Sequence, residues 1–134
     1  MSKAGETFFT SIGCMDGRIQ EPIRKFGQEK FGAEYPDTIT EAGLVGHLAN
    51  HPDAGLLDSI KKKVEISIGN HNSRGIVIFG HQECAASDAV EDIKHKDDIR
   101  RSVEVVQSLI DNTIPIVGVF VKRGENDWEV EEVV

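Results

Sequence analysis

The chain is short of the features that mark several large classes of protein. Nowhere in its 134 residues does an apolar run approach the ~20 residues that a membrane span requires. The opening Met1-Ser2-Lys3-Ala4-Gly5-Glu6 also lacks the apolar stretch of a secretory signal, so a cytoplasmic location with no membrane partner is expected. Positive charge is scarce: 15 Lys and Arg stand against 23 Asp and Glu, for a formal charge of -8. With no basic stripe to displace counterions from phosphates, no nucleic-acid partner is expected, and Lys61-Lys62-Lys63 reads as the wet face of a helix. Cysteine is scarce too. Cys14 and Cys84 make at most one disulfide, and in a cytosolic chain such thiols are more often buried, catalytic or metal-bound than paired. Repeats, low-complexity tracts and linkers are missing, and 39% hydrophobic composition over this length reads as one domain, 1–134. No Gly-x-x-x-x-Gly-Lys phosphate loop occurs, and Gly43-x-x-Gly46 is too short for a dinucleotide fingerprint.

What is present alternates between two periods. Thr7 to Ile12 is β-branched and aromatic and ends at Gly13, as a strand running into a loop does. Pro22 to Phe31 reads as a short helix stopped by Gly32, Thr38-Ile39-Thr40 as a weak strand, and Leu44 to Asn50 as a helical turn or two. Leu56, Leu57, Ile60, Val64 and Ile68 recur at helical spacing and predict an amphipathic helix ending near Gly69. Gly75 to Gly80 is a continuous apolar run bounded by glycines, the pattern of a strand buried on both faces. A helix from about Asp97 to Asp111, a strand over Ile114 to Val121, a turn at Gly124 to Asp127 and an antiparallel edge strand over Trp128 to Val134 complete the chain. This βαβ rhythm predicts an α/β fold, a mostly parallel sheet flanked by helices, whose ligands sit at the carboxyl ends of the strands where the order reverses.

Both cysteines fall at such strand ends. Cys14-Met15-Asp16-Gly17-Arg18 leaves the first strand and His81-Gln82-Glu83-Cys84 leaves the buried one, so two loops deliver two sulfurs and one imidazole to one sheet edge. Those are zinc's preferred donors, and three protein ligands leave a fourth position for water or another side chain, for which Asp16 is near enough to compete. Inert burial of two thiols is the plainer alternative. Against it stand the use of both cysteines, their shared place after strands, and an Asp and an Arg spaced to pair beside the first.

With these residues the sequence resembles the β-class carbonic anhydrases, whose signatures are Cys-x-Asp-x-Arg after the first strand and His-x-x-Cys after the third. Cys14, Asp16, Arg18, His81 and Cys84 match all five positions. The likeness runs on through Asp37 to Gly43, the Gly75-to-Gly80 strand and the Ile116-to-Val134 hairpin. It implies zinc held by Cys14, His81 and Cys84, with Asp16 and Arg18 deciding whether the fourth position holds water. It also implies carbon dioxide and bicarbonate as the small-molecule substrates, and a homodimer or higher homo-oligomer in which surfaces near Phe26 and Phe31 pack. Thr40-Glu41 stands where the family has Arg-Asn, Ala85 where it has Gly, and six residues precede the first strand where relatives carry a helical arm. Relatives with the motif also hydrolyse carbonyl sulfide or carbon disulfide, and a zinc module without catalysis is the further alternative.

The chemistry follows from the donors. Zinc lowers the pKa of a bound water so that hydroxide exists near neutral pH to attack carbon dioxide, and two thiolates temper that effect, so activity is expected on the alkaline side. The planar fork of Arg18 can hold the Asp16 carboxylate off the metal by two hydrogen bonds. Glu41, at a strand end, is a candidate base; His47 and His51 are candidate proton shuttles, though ordinary surface histidines are the simpler reading. His71 and His95 read as solvent-facing residues in polar helix ends.

Overall fold

The computed structural model describes residues 3–87, 89–111 and 113–134. Five strands form one sheet in the order β2-β1-β3-β4-β5: β1 (Phe8–Cys14), β2 (Tyr35–Glu41), β3 (Ile76–His81), β4 (Ile116–Arg123) and β5 (Trp128–Glu132). β1, β2, β3 and β4 run parallel, and β5 returns antiparallel to β4 through the turn at Gly124–Asp127. This is the expected α/β architecture, with its antiparallel edge strand. The order reverses between β1 and β3, which makes their carboxyl ends the switch point of the sheet.

Helices cover both faces. α1 (Gln20–Phe31) lies on one, while α2 (Leu44–Asn50), α3 (Ala54–His71) and α4 (Asp92–Leu109) lie on the other. The alternation along β3 shows why its sequence is apolar throughout. Ile76 and Ile78 join Leu48, Val64 and Ile99 on the three-helix face, and Val77 and Phe79 join Phe9, Ile19 and Ile23 on the α1 face. In the layer between the sheet and α1, three phenyl rings occupy space that a Cβ would need: Phe79 at Gly13, Phe9 at Gly27 and Phe31 at Gly75. Only glycine permits these approaches.

Several helix boundaries differ from expectation. α3 passes through Gly69 to His71 and stops at Asn72, whose left-handed φ of 52° caps it; at its start the Asp53 carboxylate accepts from the Leu56 N–H at 2.8 Å. α4 begins at Asp92, five residues before the predicted Asp97. Its first turns face inward with polar residues, Asp98 bonded to Lys94 at 2.6 Å and His95 stacked on Phe120, so apolar periodicity did not reveal them. Among the described residues no helix is long and apolar enough to cross a membrane.

Candidate metal centre

β1 and β3 are hydrogen-bonded neighbours, Gly13 standing opposite Phe79, so their last residues, Cys14 and His81, emerge side by side at the switch point. A tight turn through Gln82 and Glu83 then brings Cys84 back towards Cys14. The two sulfurs lie 3.8 Å apart, and these sulfurs and a ring nitrogen of His81 all fall within 4.8 Å of one another. Two Zn–S bonds of about 2.3 Å at a tetrahedral angle span about 3.8 Å, so the sulfur spacing suits that ion.

The imidazole completes this group of three donor atoms. His81 is 1% exposed, and its Nδ1 bonds the Gln82 carbonyl at 2.6 Å, which places the ring hydrogen on Nδ1 and leaves Nε2 with a free lone pair. That Nε2 is a buried side-chain nitrogen with no hydrogen-bond partner among the described residues. A buried polar atom without a partner is costly, and here it faces two thiols, so the donor chemistry fits a thiophilic divalent cation. Burial pushes the Cys14 thiol up, but in the metal-free site the His81 ring, when protonated, and the Gly43 and Asp16 N–H groups outweigh it and hold the thiol at about 7. Burial pushes the Cys84 thiol up, and the neighbouring Cys14 adds to this. The Gly43 N–H points at the Cys14 sulfur at 3.4 Å and is placed there by a left-handed glycine, φ 63°.

Asp16 and Arg18 stand beside this donor set. Arg18 grips the Asp16 carboxylate through Nε at 3.1 and 3.2 Å and through Nη2 at 2.7 Å, and its backbone N–H adds a bond of 2.9 Å. The guanidinium holds the Asp16 carboxyl at about 2, well below its usual range. Asp16 Oδ2 is 4.0 Å from His81 Nε2, close to the donors yet turned to the arginine. The Gln20 amide fastens the loop below, donating to the carbonyls of Cys14 at 3.0 Å and Asp16 at 2.8 Å.

The structure thus brings Cys14, Asp16, Arg18, His81 and Cys84 to one sheet edge. Glu41 ends β2 opposite Cys14 but lines a separate cleft with His47 and Asp53, and His51 borders another with Lys94 and Ala89. Two expectations are corrected. His95 is buried, 6% exposed, and borders the small cavity that Cys14, His81 and Cys84 also line. His71 is half-buried; it stacks on Phe8 with ring centroids 4.0 Å apart and bonds the Asp37 carboxylate at 2.7 Å. Both histidines sit in helices whose polar residues have tertiary partners, which a solvent-facing assignment overlooks. Sequence reasoning also missed Gln20, Glu83, Arg123 and Trp128 around the site. Glu83 carried a signal in its place between His81 and Cys84; Arg123, distant in the chain, carried none.

The profile of a protein family described as "Putative carbonic anhydrase" matches residues 4–134. Among solved structures, the chain is similar to the β-carbonic anhydrase isoform I of the protozoan Trichomonas vaginalis. That likeness has a TM-score of 0.61 and 19% identity, covering 100% of this chain and 87% of that one. It is similar as well to β-carbonic anhydrase CafA of Aspergillus fumigatus, with a TM-score of 0.53 and 13% identity over 96% of this chain and 76% of that one. One of the two tetrameric β-carbonic anhydrases of Sordaria macrospora gives 0.52 and 14% over 96% and 81%. At these identities the likeness shows the fold. No curated protein sequence matches the chain.

Proposed function

The chain belongs to this carbonic anhydrase family, and from that premise we propose that it catalyses the reversible hydration of carbon dioxide to bicarbonate, with zinc held by Cys14, His81 and Cys84. The observation that carries the reading is the unpartnered, buried Nε2 of His81, aimed into a pair of thiols spaced for a tetrahedral ion. Bound there, zinc supplies a Lewis acid that brings the ionisation of water towards neutral pH.

The protein's own residues do the rest. The Gln82 carbonyl fixes the His81 tautomer, and the Gly43 N–H stabilises the Cys14 sulfur as a thiolate. Asp16, ionised over the working pH range, can only accept a hydrogen bond, so it orients a water by taking one of its protons into a hydrogen bond at Oδ2. Arg18 keeps that carboxylate off the donor set. Without the arginine, Oδ2 needs to travel only a short way from its 4.0 Å distance to join it. The active form is proposed as a homodimer or a multiple of it, as the family resemblance implies, in a compartment reducing enough to keep the two thiols free.

Elemental analysis with stopped-flow hydration on the purified protein tests the reading. About one zinc per chain and hydration that rises with pH are expected. Full loading with no hydration from about pH 6 to about pH 9 would replace carbon dioxide by a sulfur analogue or by a non-catalytic zinc role. Full zinc in either Cys14→Ser or Cys84→Ser would overturn the ligand set, and light scattering at micromolar concentration tests the dimer.

A further inference from the structure

Arg18 is held from two directions. One is Asp16. The other is Glu83, whose carboxylate accepts from Arg18 Nη1 at 3.2 Å and whose backbone carbonyl accepts from Nη2 at 3.2 Å. The same carboxylate accepts from Arg123 through Nε at 2.9 Å and Nη2 at 3.1 Å. The two guanidinium groups also share an aromatic face, with their central carbons 5.2 Å (Arg18) and 4.3 Å (Arg123) from the Trp128 ring centre. Trp128 meets His81 edge-on at 6.5 Å, so this outer layer reaches the donor set at a second point. Glu83 adopts φ 59°, a left-handed conformation unfavourable for a residue with a Cβ, in the turn that separates two metal donors.

We propose that Glu83 is a positioning residue: by bridging Arg18 to Arg123 of the β4–β5 hairpin, it fixes the orientation in which Arg18 holds Asp16. The inference rests on the reading of Asp16 and Arg18 as the working pair of carbon dioxide hydration. Taken singly, these ion pairs are exposed and weak, since Arg18, Glu83 and Arg123 are each about half open to solvent. Together they use every nitrogen of the Arg18 guanidinium. A planar group bonded at Nε, Nη1 and Nη2 to two carboxylates and a carbonyl, with an aromatic ring against it, cannot turn without breaking several contacts at once. The strained turn is then the means by which one residue presents both its carboxylate and its carbonyl to the same arginine.

The test reads Arg18 directly. In zinc-loaded protein, the side-chain Nε–H signal of Arg18, assigned by its loss in Arg18→Lys, should exchange slowly with solvent. In Glu83→Gln and in Arg123→Ala that exchange should quicken at least about tenfold. Carbon dioxide hydration should show kcat reduced about tenfold with KM and zinc content unchanged, within the range for residues that orient a metal site from outside. Arg123 is exposed, so Arg123→Ala carries the test should Glu83→Gln fold poorly. Slow Arg18 exchange retained in the variants would overturn the proposal, as would quickened exchange with unaltered kcat. An inactive wild-type enzyme fully loaded with zinc would instead refute the hydration reading, and the exchange rates would still decide whether Glu83 holds Arg18.

Discussion

Removing or supplying zinc should move the stability of the whole domain, and the size of the effect can be worked out. Without metal, the buried Nε2 of His81 has no partner, a situation that costs about 1–3 kcal/mol. At free zinc a hundredfold above its dissociation constant, ligation of the native state contributes about 2.7 kcal/mol. Unfolding entropy of about 2.1 cal/mol/K per residue gives about 0.28 kcal/mol/K for 134 residues, so Tm should rise by about 10 °C. The assay is thermal unfolding followed by circular dichroism, with zinc and with a chelator, at pH 8 and pH 6. The shift should shrink at pH 6. Both thiols must lose their protons to ligate, and below about 7 protons compete for Cys14 as well as for Cys84, whose pKa is raised. Cys84→Ser should show almost no zinc-dependent shift. A wild-type Tm that is the same with zinc and with chelator would refute the reasoning.

Arg18→Ala should abolish hydration while keeping zinc, because the freed Asp16 carboxylate can take the fourth position; elemental analysis alongside stopped-flow kinetics separates this from metal loss. Gly27→Ala should destabilise by up to about 2 kcal/mol despite the better helix former, because a methyl there overlaps the buried Phe9 ring, whereas Gly69→Ala, with open space around it, should gain up to about 1 kcal/mol; urea unfolding of both variants checks the pair. Glu131 bridges Lys122 and Lys96 at 3.1 and 2.7 Å, and the lysines hold its carboxyl below the usual 4.5. Its stabilising effect is therefore complete above about pH 4.5 and lost as pH falls through the lowered value, so the Tm difference between wild type and Glu131→Gln should close in acid.

Much of the fold was legible because β3 and α3 advertise themselves. Ile76 to Phe79 is apolar on both faces since helices cover both, and the spacing of Leu56, Ile60 and Val64 matches the helix turn. The start of α4 was illegible for the opposite reason: its inward residues His95 and Asp98 are polar, and what buries them is tertiary partnership that no local period encodes. The convergence of Cys14, His81 and Cys84 was legible since each ends a strand, or nearly so, and strand ends at a switch point converge. Its surroundings were not. Trp128 meets Arg18 because β5 folds back along β4, a contact between residues over a hundred positions apart in sequence, and Arg123, at the end of β4, joins them through Glu83.

The three phenyl rings seated on glycines have a consequence for descent. Phe9 with Gly27, Phe79 with Gly13 and Phe31 with Gly75 are each one unit of shape written at two places in the gene. A mutation at the glycine alone adds a clash, and one at the phenylalanine alone leaves a void, so neither is an easy single step. Lineages should change these positions in pairs or hold them, while surface positions drift freely. Around such locked pairs the rest of the sequence is free to diverge, and the fold is shared with solved structures at only 13–19% identity.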